Sequence, residues 1–177
     1  ADLEEFSDGL ICLTGGDEGQ LAAGLEQDRC KKTRNRRDRL AAIYGRGNVY
    51  VELQRHQLRE EESRNQALLR LAESAGLPVI ATNGVKYAIG KDRELLDVFT
   101  AIKHGVTLDE AGRLLTVNGA RPLRTPQEMT RLFRDVPEAI ANTRIASERL
   151  EFTLNDLGYE FPKYPLPGGE TMDSFLA

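Results

Sequence analysis

Three short β-prone runs, each followed by a helical pattern, constrain this chain more than any other feature of it. The clearest is Val49-Tyr50-Val51-Glu52-Leu53-Gln54, β-branched and aromatic between turn residues. Gly9 to Thr14, closed by Gly15-Gly16, reads as a shorter buried strand. Val79 to Thr82, opened by Pro78, is the third and runs straight into the turn pair Asn83-Gly84. Helical stripes lie between and after them. Leu21 and Leu25 suggest a turn or two, and Leu40, Ile43 and Tyr44 continue a helix that Gly45 stops. Glu60-Glu61-Glu62 open another, where the helix dipole favours anions, and Leu68, Leu71, Ala72 and Ala75 form its apolar face. Asp92 to His104 follows, with Leu95, Val98, Phe99 and Ile102 on one side. Such alternation predicts an α/β fold with parallel strands and crossover helices. Three strands are too few to close a barrel, so the sheet is expected to have open edges. Such edges imply either that the chain is part of something larger or that it self-associates through them.

The last third changes character. Thr107-Leu108-Asp109-Glu110 and Thr125-Pro126-Gln127-Glu128 both fit a capping box, the second with Pro at the first helical position. Met129, Leu132 and Phe133 form the apolar face after it, and a further helix is expected from near Pro137 to Leu150. Residues 151–169 carry three prolines and three glycines and read as extended. The expected organisation is an α/β part over residues 1–105 and a small α-helical segment over 106–177.

Composition excludes several classes. With 40% hydrophobic and 29% charged residues the chain can bury a core. No apolar run approaches the roughly 20 residues of a membrane helix, and Ala1 to Gly9 lacks the order of a signal peptide. A net charge of −4 argues against a generic nucleic-acid binder. Two cysteines without a CxxC fit a reducing, cytoplasmic compartment. With only His56 and His104, any metal site would be poor in histidine.

Candidate site residues cluster after the strands, where ligands of parallel α/β folds sit. Alternation puts Val49, Val51 and Leu53 on one face of the second strand and Tyr50, Glu52 and Gln54 on the other. Glu52 reads either as a site carboxylate or as a buried glutamate tied to an arginine or to backbone donors. His56, two residues past that strand, is expected at the surface or outside any ligand shell, because no second histidine lies at metal spacing. Asn83 stands at the end of the third strand. Between Arg29 and Arg39 lie seven basic residues, among them Lys31, Lys32, Arg34, Arg36 and Arg37. They suit either DNA phosphates or a solvated helix, because they encircle the helix and no aromatic residue interleaves them. Gly15-Gly16-Asp17-Glu18-Gly19 matches neither a P-loop nor a dinucleotide fingerprint.

Asp8 to Gly16, Val49 to His56 and Leu77 to Asn83 together resemble the bacterial C-family replicative polymerases, the DNA polymerase III alpha subunits. Arg59-Glu60-Glu61, Leu108 to Arg113 and Leu154 to Pro162 resemble the error-prone branch of that family. The resemblance implies the second half of a PHP domain, a partial distorted (β/α)7 barrel, continuing into the first helices of the polymerase module. It also implies that Gly16, Gly84 and Lys86 stand where intact PHP sites carry a cysteine, an aspartate and a histidine as metal ligands. None of the three ligates, and an ammonium repels a cation. The expectation is therefore a degenerate metal site, no catalytic residue and no cofactor in this chain, with Lys86 holding neighbouring carboxylates together. The parent polymerase is expected to use Mg2+ and to engage DNA and replication or repair proteins. Two other functions stay open: a metal-dependent phosphoesterase or 3′–5′ exonuclease completed by upstream residues, and a protein-docking scaffold.

Overall fold

A computed structural model describes residues 2–16, 19, 21, 30–153, 158 and 174. Among them the order is α1 (Asp2–Glu5), β1 (Cys12–Leu13), α2 (Cys30–Tyr44), β2 (Val49–Gln54), α3 (Glu61–Ala75), β3 (Val79–Thr82), α4 (Arg93–His104), α5 (Leu108–Ala111), α6 (Pro126–Leu132) and α7 (Pro137–Glu148). The strands form one parallel sheet in the order β1-β2-β3. The first strand is shorter than Gly9–Thr14, although Thr14 N–H still donates to Tyr50 O at 3.1 Å. The helical turn expected at Leu25 and nearly all of the tail expected to be extended lie outside the described residues.

Period-two alternation holds. Val51 and Leu53 pair in register with Val79 and Ala81, and all four join Val49 in the main core. Leu68, Leu71 and Ala72 of α3 cover that face. Tyr50 and Ile80 face the other way. Gly76 and Gly105 end α3 and α4 in the left-handed conformation, which glycine adopts without penalty.

The C-terminal helices do not make a core of their own. Phe133, Val136 and Ala139 belong to the same cluster as β2 and β3, and Phe133 is fully buried. Burying such a side chain contributes roughly 1.5–3 kcal/mol. Arg55 reaches from the end of β2 to hold this segment. Its guanidinium lies 5.0 Å from the Phe133 ring centroid and grips Asp135 with both terminal nitrogens. Helix α7 places Ala139 against one face of the sheet and Ala146 against the other, and Asn142 Nδ2 donates to Val79 O at 2.7 Å. It therefore runs along the outer edge of β3. The edge expected to be open on that side is covered, so strand addition there is blocked.

Both capping boxes form. Glu128 N–H donates to Thr125 Oγ1 at 3.3 Å while Thr125 N–H donates to Glu128 Oε2 at 2.8 Å. Glu110 closes the other on Thr107. The apolar stripe of α4 behaves differently from its pattern. Leu95, Val98, Phe99 and Ile102 are 37–68% exposed, so the helix turns its hydrophobic face away from the core described here. No helix among the described residues is long and apolar enough to cross a membrane.

Candidate functional site

The C-terminal edge of the sheet gathers Thr14 and Gly16 after β1, Glu52, Gln54 and His56 on and after β2, and Thr82, Asn83 and Gly84 at the end of β3. The register that pairs Gln54 with Thr82 puts the side chains of Glu52, Gln54 and Thr82 on one face. Gln54 Nε2 donates to Glu52 Oε1 at 2.7 Å and to Thr82 Oγ1 at 3.1 Å, and the Thr82 hydroxyl donates to Glu52 Oε1. Glu52 N–H donates to Thr14 Oγ1 at 3.0 Å. The buried carboxylate is thus satisfied by an amide and a hydroxyl, and not by the arginine or backbone donors expected from sequence.

Gln54 also explains the two glycines. A Cβ on Gly16 would overlap Cδ and Oε1 of the Gln54 side chain. A Cβ on Gly84 would lie 2.9 Å from Gln54 Oε1 and 2.7 Å from Arg121 Nη1, on a backbone with φ of +48° that disfavours side chains. The Gln54 amide therefore fills the space that side chains at positions 16 and 84 would need. Sequence reading passed over this residue, because a strand-end glutamine carries no motif.

His56 is not at the surface. It is 1% exposed, and both ring nitrogens meet acceptors: Nδ1 is 2.8 Å from Glu61 Oε1 and Nε2 is 2.9 Å from Asn83 O. Glu61 Oε2 also accepts from His56 N–H at 2.5 Å, which folds the 56–60 loop back over the first turn of α3. Burial alone would raise the Glu61 carboxyl, but the hydrogen bonds from the His56 ring and backbone outweigh it and hold it below the ordinary glutamate value. Sequence could have flagged Glu61 only as one of three helix-opening acids.

Asn83 is buried and anchors a loop returning from beyond residue 105. Its Nδ2 donates to Pro122 O at 2.7 Å and its Oδ1 accepts from Arg124 Nε at 3.2 Å. Asn118 Nδ2 donates to His56 O at 2.6 Å, and Lys86 N–H to Arg121 O at 3.0 Å. The site edge is therefore walled by residues 113–124, a segment assigned from sequence only to the start of the helical part.

Lys86 holds no carboxylate among the described residues. Its side chain is exposed and makes no hydrogen bond or ion pair with any described residue, and it shares a pocket wall with Arg113 and Arg121. Glu52 is already occupied by Gln54 and Thr82. Lys86→Ala is accordingly expected to change stability by less than about 0.5 kcal/mol. Urea unfolding checks this, and a loss above about 1 kcal/mol would restore a structural role for the ammonium.

Among the basic candidates on α2, Lys32, Arg34 and Arg36 are exposed, whereas Arg37 turns inward to Asp38 and to Ser74 Oγ of α3. The Lys31 side chain lies outside the described residues. Among the described residues no group of three or more His, Cys, Asp and Glu side chains comes together to hold a metal.

No family model matches the chain. Comparison with curated proteins finds error-prone DNA polymerases. That of Brucella abortus biovar 1 (strain 9-941) is 42% identical over 130 residues, 73% of this chain and 12% of the relative. That of Bradyrhizobium sp. (strain ORS 278) is 43% identical over 117 residues, 66% of this chain and 10% of the relative. That of Rhodopseudomonas palustris (strain BisB5) is 35% identical over 180 aligned positions, 99% of this chain and 15% of the relative. The chain spans between a tenth and a sixth of the length of these relatives.

Proposed function

We propose, for a chain homologous over most of its length to error-prone DNA polymerases, that it is a segment of such an enzyme. Within it the segment forms the second half of a PHP domain and leads into the first helices of the polymerase module. Its role there is structural, with no chemistry of its own. The parent would transfer deoxynucleotides to a primer end, and magnesium would supply charge neutralisation at residues outside this chain. One observation carries the structural reading: the Gln54 amide fills the space above Gly16 and Gly84. The residues at this edge do not suit a catalytic cation. Two of the three positions implied as ligands offer no side chain, the third is an ammonium, and Glu52 already bonds Gln54 and Thr82.

The apolar stripe of α4 supports the idea of a larger whole. Four hydrophobic side chains at helical spacing suit a surface covered by the rest of the same polypeptide. The exposed Lys32 and Arg34 of α2 suit electrostatic contact with DNA phosphates.

The test is exonuclease and phosphoesterase activity of the full-length polymerase with manganese and with zinc. The expected result is primer extension without 3′–5′ hydrolysis, and extension retained in Glu52→Gln. Hydrolysis by the wild type that disappears in Glu52→Gln would overturn the structural role and favour the metal-dependent phosphoesterase.

A further inference from the structure

We propose that the pocket between the end of β3 and the 113–121 segment binds a phosphate group. The cavity is about 250 Å3 and open to solvent on one side. That is smaller than the roughly 300–1,000 Å3 of drug-sized ligand sites, and it suits a small anion. Three cations line it, Lys86, Arg113 and Arg121, and among the described residues no aspartate or glutamate does. The side chains of Lys86 and Arg113 make no hydrogen bond or ion pair with any described residue. Two such charges facing one cavity repel each other, and an anion between them removes that repulsion and gains charge-assisted hydrogen bonds.

The wall is built before any ligand arrives. Lys86 N–H bonds Arg121 O, Arg93 Nη2 bonds Thr116 O at 2.9 Å, and the Asn118 side chain bridges His56 O and Ala120 N–H. Both His56 ring nitrogens are committed elsewhere, so the imidazole is a wall and not a ligand. Thr116, also in the lining, has a buried hydroxyl with no hydrogen-bond partner among the described residues. It is a spare donor beside the cations.

The proposal does not rest on the polymerase reading. It concerns charge and space in this chain, and its test needs no metal and no primer extension. Phosphate could reach the pocket as the free ion or as the backbone of a nucleic acid, and two arms separate these sources. Inorganic phosphate is titrated into the 177-residue chain at constant ionic strength, with chloride as the control, and followed by backbone amide resonances. A short single-stranded oligodeoxynucleotide is titrated in the same way. Saturable shifts centred on residues 86 and 113–121 are expected with at least one probe. The double variant Lys86→Met/Arg113→Met is expected to weaken binding by about tenfold or more, because two charged hydrogen bonds are lost. Lys86→Arg is expected to retain it. Arg131→Met/Arg134→Met, on exposed arginines elsewhere, is expected to leave it unchanged. Binding of phosphate alone assigns a free anion, and binding of the oligonucleotide assigns a backbone phosphate. No saturable response to either probe, or equal binding by wild type and the Lys86→Met/Arg113→Met variant with its fold intact, would overturn the proposal.

Discussion

Replacing His56 by alanine is expected to destabilise the chain by about 3–5 kcal/mol, the cost of breaking a buried pair and leaving one charge behind. The Glu61 carboxylate would lose the ring it meets at 2.8 Å while remaining buried under the 56–60 loop. The Asn83 carbonyl would lose its donor at the same time. For a domain stable by about 5–15 kcal/mol, this is a large fraction of the whole. Acid is expected to act on the same pair. The folded state holds the Glu61 carboxyl below its ordinary value of 4.5. Its contribution is therefore present above that value and is lost as pH falls through the lower, folded value. Chemical unfolding at a series of pH values should show wild-type stability falling in that acid range. Glu61→Gln should show a lower but flatter profile. Equal acid slopes for the two proteins would remove Glu61 from the account.

Gly16→Cys is expected to cost about 1–3 kcal/mol in this chain, as overpacking of a filled site does. The new Cβ overlaps the Gln54 amide, and that amide cannot move without giving up Glu52 and Thr82. The informative measurement is the cycle with Gln54→Ala. Removing the amide opens the space, so the double variant should be more stable than the sum of the single losses implies, by about 1 kcal/mol or more. Strict additivity would mean that Gln54 does not occupy the position, and the explanation of the glycines would fail with it.

These two sites differ in how far sequence could reach them. The facing of Val49 to Gln54 follows from alternation alone, and the helix ends at Gly76 and Gly105 and the boxes at Thr107 and Thr125 follow from local chemistry. Each needs only neighbours within a few residues. The His56–Glu61 pair needs the loop between them to turn back, with Gln57 at a φ of +61°, and no motif announces that. Gln54 is legible only once the register sets it beside Thr82 and beneath two glycines from other loops. The edge position of α7 was hidden for a related reason. It packs through Ala139, Asn142 and Ala146, residues too small or polar to signal an apolar stripe. The stripe of α4 misled in the opposite sense. Periodicity tells that a face is apolar and not what covers it.

The structural role of this sheet edge is tested most directly by metal content. The full-length protein, proposed above to be a polymerase, is purified without chelator and analysed for zinc and manganese, and is expected to hold no stoichiometric ion dependent on this edge. Its content should be the same in the wild type and in Glu52→Ala. Two or three tightly held ions per chain, lost in Glu52→Ala, would contradict the account.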